Sequence, residues 1–364
     1  MAGYWKLRTK YSVTWKRQLE TSIKHQGTIN ILLYLTKQMT MSVLAEIRKP
    51  VEKEMAGFEA YFNRTLHSEI PLLKIILNYI LRRKGKQMRP LLVFLTARLN
   101  GEIAEPTYIA ATFIELLHTA SIVHDDVVDD AHERRGALSI NALWNSKIAV
   151  LVGDYMLSKG LLISVEKSRF DMLEIVSEAV KSMAEGELLQ LQKARKQNIK
   201  EVDYFQIIKC KTSALIAACA ATGARSVTED PDTVQLMKDF GENIGIAFQI
   251  RDDILDYDGN GLSGKTFGND IKEKKITLPL IHALEHTDNS RKRHILSIVK
   301  SRKKTRTEIN EVIRFVTDAG GLEYAEQKMN LYRDKALAIL DSYPVSEVRN
   351  SLHKFVLYTT SRDK

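Results

Sequence analysis

The sequence predicts an all-α protein, built as a single large helical bundle of ten or more helices. Apolar residues recur at spacings of three and four along most of the chain, the period of a helix with one buried face. Glycine and proline are scarce, with 18 and 7 residues among 364, and most of them fall between the periodic stretches. No alternating apolar run predicts a sheet, and no strand–helix–strand rhythm is found.

The periodic stretches follow one another from about Met41 to the C-terminus. The clearest covers residues 107–130, where Ile109, Phe113 and Leu116 begin one apolar stripe. Similar patterns cover about 71–82, 144–165, 170–194, 203–221, 232–257, 276–286, 307–318 and 322–341. No low-complexity linker divides them, so we expect a single domain over residues 41–364.

The first forty residues differ from the rest in composition. They carry seven basic residues against one acidic residue, a net charge of +6 within the chain's total of +9. Three interpretations of residues 1–40 stay open: a segment without function before a start at Met41, a basic arm that touches a membrane or nucleic acid, or a transit peptide. We expect this extension to lie outside the fold.

Composition narrows the class of protein further. Hydrophobic residues make up 44% and charged residues 27% of the chain, as in soluble globular proteins. The two cysteines, Cys210 and Cys219, cannot form a disulfide framework, which favours a reducing, cytoplasmic setting. Asp154 and Lys159 interrupt the best apolar run, so we expect no membrane span. Because the body is only mildly basic, we expect no nucleic-acid partner.

Two aspartate clusters on predicted helices carry the strongest chemical signal. Both have the pattern Asp-Asp-x-x-Asp, with the members Asp125, Asp126, Asp129, Asp252, Asp253 and Asp256. Spacings of three and four place carboxylates on one helix face, a turn apart. One cluster alone is most simply a solvated helix end. Two copies inside apolar helices indicate carboxylates that bind Mg²⁺ and grip a polyphosphate between them.

A polyphosphate also needs cations, and basic residues lie near both clusters in the sequence. In chain order they are Lys86, Arg89, Arg134, Arg135, Lys211 and Lys265. Each alone is most simply a surface charge. Arginine suits bidentate phosphate contacts and lysine suits point-charge contacts, so their placement beside the aspartates predicts diphosphate binding.

Together these residues resemble the trans-prenyltransferases, the isoprenyl diphosphate synthase family. The resemblance runs from about Met41 to the C-terminus. Its motifs, in order, are Gly85-Lys-x-x-Arg-Pro90, Glu115-Leu-Leu-His118 before the first aspartates, Arg134-Arg-Gly136, Gly153-Asp-Tyr155, Gly186-Glu-x-x-Gln190, Lys211-Thr212, Phe248-Gln249 before the second aspartates, Gly264-Lys265 and Lys275-x-Thr277. Lys274 stands where the family usually has glycine.

The resemblance implies an isoprenoid synthase fold around a central cavity. It implies head-to-tail condensation of isopentenyl diphosphate onto an allylic diphosphate of the farnesyl or geranylgeranyl type. About three Mg²⁺ ions per site, with lysine and arginine, would neutralise the departing diphosphate, so no protein nucleophile is needed. The resemblance also implies a homodimer and a membrane-bound lipid precursor as product.

Site roles carry over residue by residue. The six aspartates resemble the Mg²⁺ ligands, and the residues that resemble catalytic partners are Lys211, Thr212 and Gln249. The residues that resemble contacts to the allylic diphosphate are Arg134, Lys211, Gln249 and Lys265. Those that resemble the isopentenyl diphosphate site are Lys86, Arg89, His118 and Arg135. A packed core histidine is the plainer interpretation of His118, and Asp270 and Lys275 either serve the diphosphate or pair with each other.

Residues before the first aspartates bear on product length. A prenyl unit spans about one helical turn of 5.4 Å, so a tail along this helix passes about one turn per unit. The positions that would line its path are Ser121, Ala120, Leu117, Ile114 and Phe113. Short-chain members of the family carry large aromatics at the first two, so we expect a product of about C30–C50, octaprenyl-like, for an isoprenoid quinone. A stop near C20, at Leu117, Ile114 or Met156, is the alternative.

Two other classes share part of this pattern. A class I terpene cyclase typically has an Asn/Asp-x-x-Ser/Thr-x-x-x-Glu motif in place of the second aspartate cluster, and it needs no isopentenyl diphosphate site. A non-catalytic partner subunit tends to lose an aspartate motif or the phosphate-binding cations, and here both motifs are complete. The sequence therefore predicts an active trans-polyprenyl diphosphate synthase.

Overall fold

A computed structural model of the chain describes residues 43–83, 85–134, 136–196, 199–257 and 268–361. Helices make up nearly all of its regular structure, which confirms the all-α prediction. They are α1 (43–48), α2 (Glu52–Thr65), α3 (Pro71–Leu81), α4 (Met88–Asn100), α5 (Glu105–Val128), α6 (Ile140–Trp144), α7 (Ser146–Glu166), α8 (Phe170–Lys196), α9 (Glu201–Ile208), α10 (Ala214–Arg225), α11 (Pro231–Tyr257), α12 (Asn269–Lys272), α13 (Leu278–Glu285), α14 (Asn289–Lys300), α15 (Arg306–Asp318), α16 (Gly321–Asp341) and α17 (Glu347–Ser361).

Three short elements interrupt this pattern. A 3₁₀ turn, Lys49–Val51, joins α1 to α2, and a π-helical segment, Lys209–Ser213, joins α9 to α10. Two strands of two residues each, β1 (Glu133–Arg134) and β2 (Ala137–Leu138), form an antiparallel hairpin after α5, with Glu133 opposite Leu138. The hydrophobic period predicts neither the hairpin nor the π segment, because both are too short to have a period of their own.

The long helices pack around α5, α10 and α11. Helix α5 packs on α7 and α4, α10 packs on α4, α8 and α11, and α11 packs on α16. Three clusters of buried apolar side chains fill the spaces between the helices. At the contact between α5 and α7, a Cβ atom on Gly160 would lie 2.6 Å from Cδ2 of Phe113, so only glycine lets this ring pack there. Helix α10 packs on α5 as well as on α11, so it links the helix of the first aspartate cluster to the helix of the second.

Two helical stretches are long and apolar enough to span a membrane by length and composition. They are Ser146–Glu166, where the sequence predicted no span, and Glu201–Arg225. In their most apolar windows, 39% and 72% of the residues are buried within the protein. Core helices of soluble proteins pass the same test, so these two stretches are weak evidence for a membrane span.

Candidate active site

Both aspartate clusters lie at the C-terminal ends of helices. Asp125 and Asp126 occupy the last turn of α5, and Asp129 caps it with its N–H donated to the carbonyl of Asp125 at 2.8 Å. The second cluster occupies the last two turns of α11. A helix C-terminus carries partial negative charge, which opposes carboxylates there. A solvated cluster of aspartates is stable at a helix N-terminus, but these two clusters lie at C-termini. The structure therefore favours the interpretation in which they face a cation.

Burial divides the six aspartates into two groups. Asp126, Asp253 and Asp256 are buried, with 3%, 4% and 8% of their surface exposed. Asp125 and Asp129 are exposed, whereas Asp252 is half-buried. Buried carboxylates are costly unless hydrogen bonds or positive charge compensate them. Each cluster therefore offers both a carboxylate fixed by the fold and one that solvent or substrate can reach.

Asp253 has the most perturbed carboxylate of the two clusters. The phenol of Tyr204 donates to its Oδ2 at 2.7 Å, and Nε2 of Gln249 donates to its Oδ1 at 2.9 Å. Burial, together with the charges of Asp270 and Asp252, raises the pKa of Asp253 to about 7, and the two hydrogen bonds oppose this rise. A cation beside this carboxylate would favour its ionised form.

Asp256 has a second role that the sequence did not predict. Its Oδ1 accepts the N–H of Asn269 at 3.1 Å, its Oδ2 accepts the N–H of Asp270 at 2.9 Å, and its carbonyl accepts the N–H of Gly268 at 2.9 Å. These bonds anchor the start of α12 to the end of α11. The role of Asp256 as a metal ligand stays a prediction.

The donor set of the clusters fits a hard divalent cation. Carboxylate oxygens are the ligands that Mg²⁺ prefers, and this ion usually keeps several waters and takes one or two carboxylates plus substrate phosphates. Within the described ranges, no three side chains of the types His, Cys, Asp or Glu converge into one ready-made metal site. The donor set of the clusters therefore fits Mg²⁺ that is bound together with a diphosphate, and the aspartates as its ligands stay a prediction.

The π segment brings three sequence motifs together. Lys211 forms an ion pair with Glu187 at 2.5 Å and donates to Oε1 of Gln190 at 3.1 Å. Oγ1 of Thr212 donates to Oε1 of Gln249 at 2.8 Å. A hydrogen-bonded chain thus runs from Thr212 through Gln249 to Asp253. π-helical turns are rare and occur mostly at functional sites.

Gly186 of α8 explains how the π segment comes so close to α8. A Cβ atom on Gly186 would lie 2.7 Å from Cβ of Cys210 and 2.9 Å from the backbone nitrogen of Lys211. Because the second contact is with backbone, any side chain here would push the segment away. Gly186 therefore sets the position of Lys211 relative to Glu187.

A cavity of about 700 Å³ contains the residues that resemble the isopentenyl diphosphate site. Lys86, Arg89 and His118 line it together with Asp126, and Nη1 of Arg89 lies 2.7 Å from Nε2 of His118. Gln87, between the two cations, adopts left-handed backbone angles at φ 51°, which sharply turns the chain into α4. The structure thus brings together three of the four residues of this predicted subsite.

The five predicted chain-length residues lie mostly inside the helix packing. Phe113, Ile114, Leu117 and Ala120 are buried in the largest core cluster, and Ser121 is half-buried with its hydroxyl donating to the carbonyl of His118. Where the described part of α5 lines the cavity, it does so with other residues: Glu115, His118, Thr119, Ile122, Val123 and Asp126. The role of the five residues in product length stays a prediction.

Some predicted residues lie outside the described part of the chain. They are Arg135, Gly264 and Lys265, together with residues 1–42 and the side chain of Arg134. Lys275 pairs with Asp270 at 3.7 Å and with Glu273 at 2.6 Å, which favours the plainer interpretation of that pair. Sequence reasoning missed Tyr204, because its position carries no signal that links it to an aspartate 49 positions away.

Comparisons with known proteins agree with this site. Residues 70–316 match the profile of the polyprenyl synthetase family. The chain is 33% identical over 322 residues to octaprenyl diphosphate synthase from Escherichia coli strain K12, which covers 88% of this chain and 99% of that protein.

Two solved structures are similar over most of the chain. One is a polyprenyl synthase from Caulobacter crescentus complexed with calcium and isoprenyl diphosphate, with a TM-score of 0.81, 31% identity and coverage of 88% of this chain and 98% of that one. The other is geranylgeranyl pyrophosphate synthase from Bacteroides thetaiotaomicron, with a TM-score of 0.76, 38% identity and coverage of 88% and 100%. Enzymes of this kind generally depend on magnesium and act on isoprenoid diphosphates. The chain therefore belongs to the polyprenyl synthetase family of prenyltransferases.

Proposed function

We propose that the protein condenses isopentenyl diphosphate head-to-tail onto an allylic diphosphate of the farnesyl or geranylgeranyl type, with Mg²⁺, to make a long-chain all-trans polyprenyl diphosphate of about C30–C50. The observation that carries this is a single cavity that is lined both by Asp126, at the end of α5, and by Lys86, Arg89 and His118. The similarity to an octaprenyl diphosphate synthase over 99% of that protein supports a long product.

The two diphosphate substrates would bind to different groups of residues. Lys86, Arg89 and His118 hold isopentenyl diphosphate, while Lys211 and the aspartates face the allylic diphosphate. The allylic C–O bond breaks and the electron pair leaves with diphosphate, the double bond of isopentenyl diphosphate attacks C1, and the released diphosphate takes the proton that is lost. Mg²⁺, when bound by the aspartates, would supply neutralising charge for the leaving group. About three such ions per site is our expectation.

The side-chain oxygens of Thr212 and Gln249 would stabilise the allylic cation. Thr212 and Gln249 share a hydrogen bond, and Gln249 is tied to Asp253. These two hydrogen bonds fix the side-chain oxygens of Thr212 and Gln249 in place before the allylic cation forms. Preorganised dipoles stabilise developing charge without the cost of reorganisation. Thr212 and Gln249 are therefore proposed to stabilise the positive charge at the reacting carbon.

A second copy of the chain is the proposed partner of α7. The buried face of α7 packs on α5, whereas Leu151, Leu162 and Val165 are exposed on the remainder of the helix. Phe170 and Leu188 of the following helix α8 are exposed too. Apolar surface of this extent on neighbouring helices favours burial in a homodimer. Analytical ultracentrifugation should give a dimer, and Leu151→Glu with Leu162→Glu should give monomers.

Residues 41–364 are proposed to form the catalytic domain, with residues 1–40 outside it. The relative from Escherichia coli supports this division, since the alignment covers 99% of its length but 88% of this chain. We place the enzyme in the cytoplasm and its product, a lipid precursor, at the membrane. We propose no nucleic-acid partner for the protein.

A shorter product is the second candidate. The 38% identity to a geranylgeranyl pyrophosphate synthase favours it, as does the full burial of Met156 beside α5. In this case the protein would stop near C20 and supply a different branch of isoprenoid synthesis.

One assay tests both candidates. The purified chain is incubated with Mg²⁺, labelled isopentenyl diphosphate and, in separate reactions, geranyl, farnesyl or geranylgeranyl diphosphate, and the products are resolved by length. Products of about C30–C50 are the expected result. Products that end at C20 establish the second candidate, and no extension of any primer contradicts the proposed function. Reactions with a chelator serve as the control for the metal.

A further inference from the structure

The C-terminal helix forms one wall of the cavity that holds the isopentenyl diphosphate residues. Phe355, Tyr358 and Thr359 of α17 line it together with Arg89 and His118. Tyr358 lies beyond residues 70–316, the segment that matches the family profile. We propose that Tyr358 binds the diphosphate group of isopentenyl diphosphate through its phenol hydroxyl. This inference rests on the function proposed above.

A direct contact links Tyr358 to the predicted subsite. Nζ of Lys86 donates to the phenol oxygen of Tyr358 at 2.8 Å, and the same ammonium lies 5.5 Å from the centroid of the ring. The backbone carbonyl of Lys86 accepts a hydrogen bond from the guanidinium of Arg48. Lys86 is thus held from both sides, with its charged end against α17.

The direction of the hydrogen bond from Lys86 to Tyr358 leaves the phenol hydroxyl of Tyr358 available as a donor at the cavity. An ammonium group has donors and no acceptor, so the phenol oxygen accepts and its own hydrogen points away from Lys86. Among the described residues, no protein acceptor takes this hydrogen. Tyr358 is half-buried, which keeps its hydroxyl in reach of a molecule in the cavity.

A diphosphate suits this arrangement chemically. Its oxygens accept hydrogen bonds and carry negative charge, and hydrogen bonds to a charged acceptor are the strong ones. Lys86 and Arg89 supply charge, and the phenol adds a neutral donor with a fixed direction between the two walls of the cavity. Because Tyr358 belongs to the isopentenyl side, the allylic substrate would not depend on it.

Steady-state kinetics of Tyr358→Phe test the proposal. Isopentenyl diphosphate is varied at saturating farnesyl diphosphate and Mg²⁺. We expect its KM to rise about tenfold, as for loss of one hydrogen bond to a charged group. The kcat should stay within about twofold, and the KM for farnesyl diphosphate should not change. The reason is that the proposed contact of the phenol is with the diphosphate of isopentenyl diphosphate, and not with the reacting carbon or the allylic substrate.

Tyr343→Phe is the matched control. Tyr343 is also half-buried and its hydroxyl also makes one hydrogen bond, to Oδ1 of Asn100 at 2.9 Å, but it does not line the cavity. Its variant should keep the KM of the unchanged protein. Equal KM values for Tyr358→Phe and Tyr343→Phe would overturn the proposal.

A double variant separates direct contact from an effect through Lys86. If the phenol binds the diphosphate itself, Tyr358→Phe still raises KM severalfold in a Lys86→Ala background. If Tyr358 only orients Lys86, the second change adds nothing and the proposal fails. Calorimetric titration of isopentenyl diphosphate, without an allylic substrate, keeps the test independent of turnover. Failure of the proposed function would appear as absent products, whereas failure of this inference would appear as unchanged binding by Tyr358→Phe.

Discussion

The phenol of Tyr204 donates a hydrogen bond to Oδ2 of Asp253 at 2.7 Å, and both side chains are buried. This bond joins α9, just before the π segment, to the second aspartate cluster. Burial places the pKa of Asp253 at about 7, and the bond from Tyr204 opposes that rise because it favours the ionised carboxylate. The charge of Asp253 near neutral pH therefore depends on Tyr204.

Loss of the Tyr204 hydroxyl should move the pH dependence of the reaction. In Tyr204→Phe the pKa of Asp253 rises further, so the carboxylate needs a higher pH to ionise, and the acidic limb of kcat against pH shifts upward. Rates at pH 7 should fall severalfold and recover at higher pH. The control is Tyr332→Phe, because Tyr332 packs in the same apolar cluster and has no bond to Asp253. Coincident pH profiles for the two variants would contradict the assignment.

The aspartates should differ sharply in their effect on turnover. Asp125→Asn and Asp252→Asn each remove a carboxylate that is placed to bind Mg²⁺ with the diphosphate, and kcat should fall by about two to three orders of magnitude. Asp130→Asn changes a neighbouring exposed aspartate at φ 48°, a conformation that asparagine tolerates, and should stay within about threefold. Initial rates at saturating substrates measure all three. Equal losses at Asp130 and Asp125 would show a general effect of charge.

A bulky residue near the first aspartates should shorten the product. Ser121 is half-buried, so Ser121→Phe can enter the predicted tail path with less strain than Ala120→Phe, which overpacks a buried position. We expect products of about C15–C20 from Ser121→Phe. Ser121→Ala removes the hydroxyl without adding bulk and should keep the original length. Chromatography of the products decides, and an unchanged length in Ser121→Phe would refute the direction of the tail.

Gly186→Ala should lower activity through the position of the π segment. The new methyl group would meet Cβ of Cys210 and the backbone of Lys211, so α8 and the segment must separate, which costs about 1–3 kcal/mol. We expect the KM for the allylic diphosphate to rise and thermal unfolding to occur at a lower temperature. Gly57→Ala is the control: its methyl group meets only the hydroxyl end of Tyr108 at 3.2 Å. In that helix, alanine should be neutral or stabilising, and the same behaviour in Gly186→Ala would contradict the role given to Gly186.

The sequence predicted most of the helices because long amphipathic helices carry many repeats of one period. The prediction of 232–257 differs by one residue from Pro231–Tyr257, and that of 322–341 by one residue from Gly321–Asp341. Helices α4, α14 and α17 lie outside the predicted stretches. Most of α4 is buried, so it has no clear polar face, whereas α14 and α17 are rich in exposed charged or polar residues. Their burial depends on neighbours that are distant in sequence, so tertiary packing rather than periodicity decides their presence.

The sequence could propose residues for the candidate site but not the contacts between them. Residue type and spacing single out Asp125, Asp252 and Lys211 as candidates, because few chemistries need aspartates in this pattern. Tyr204 and Tyr358 lie far along the chain from Asp253 and Lys86, and a tyrosine in an apolar helix signals nothing by itself. These contacts arise from the packing angle of helices, which one sequence does not encode locally.

The bonds from Asp256 to the start of α12 also bear on what a substitution at this position would do. Its carboxylate and carbonyl accept the N–H groups of Gly268, Asn269 and Asp270, so the start of α12 is held by the end of α11. A substitution of Asp256 should therefore loosen α12 and lower the thermal stability of the protein as well as remove a carboxylate from the second aspartate cluster.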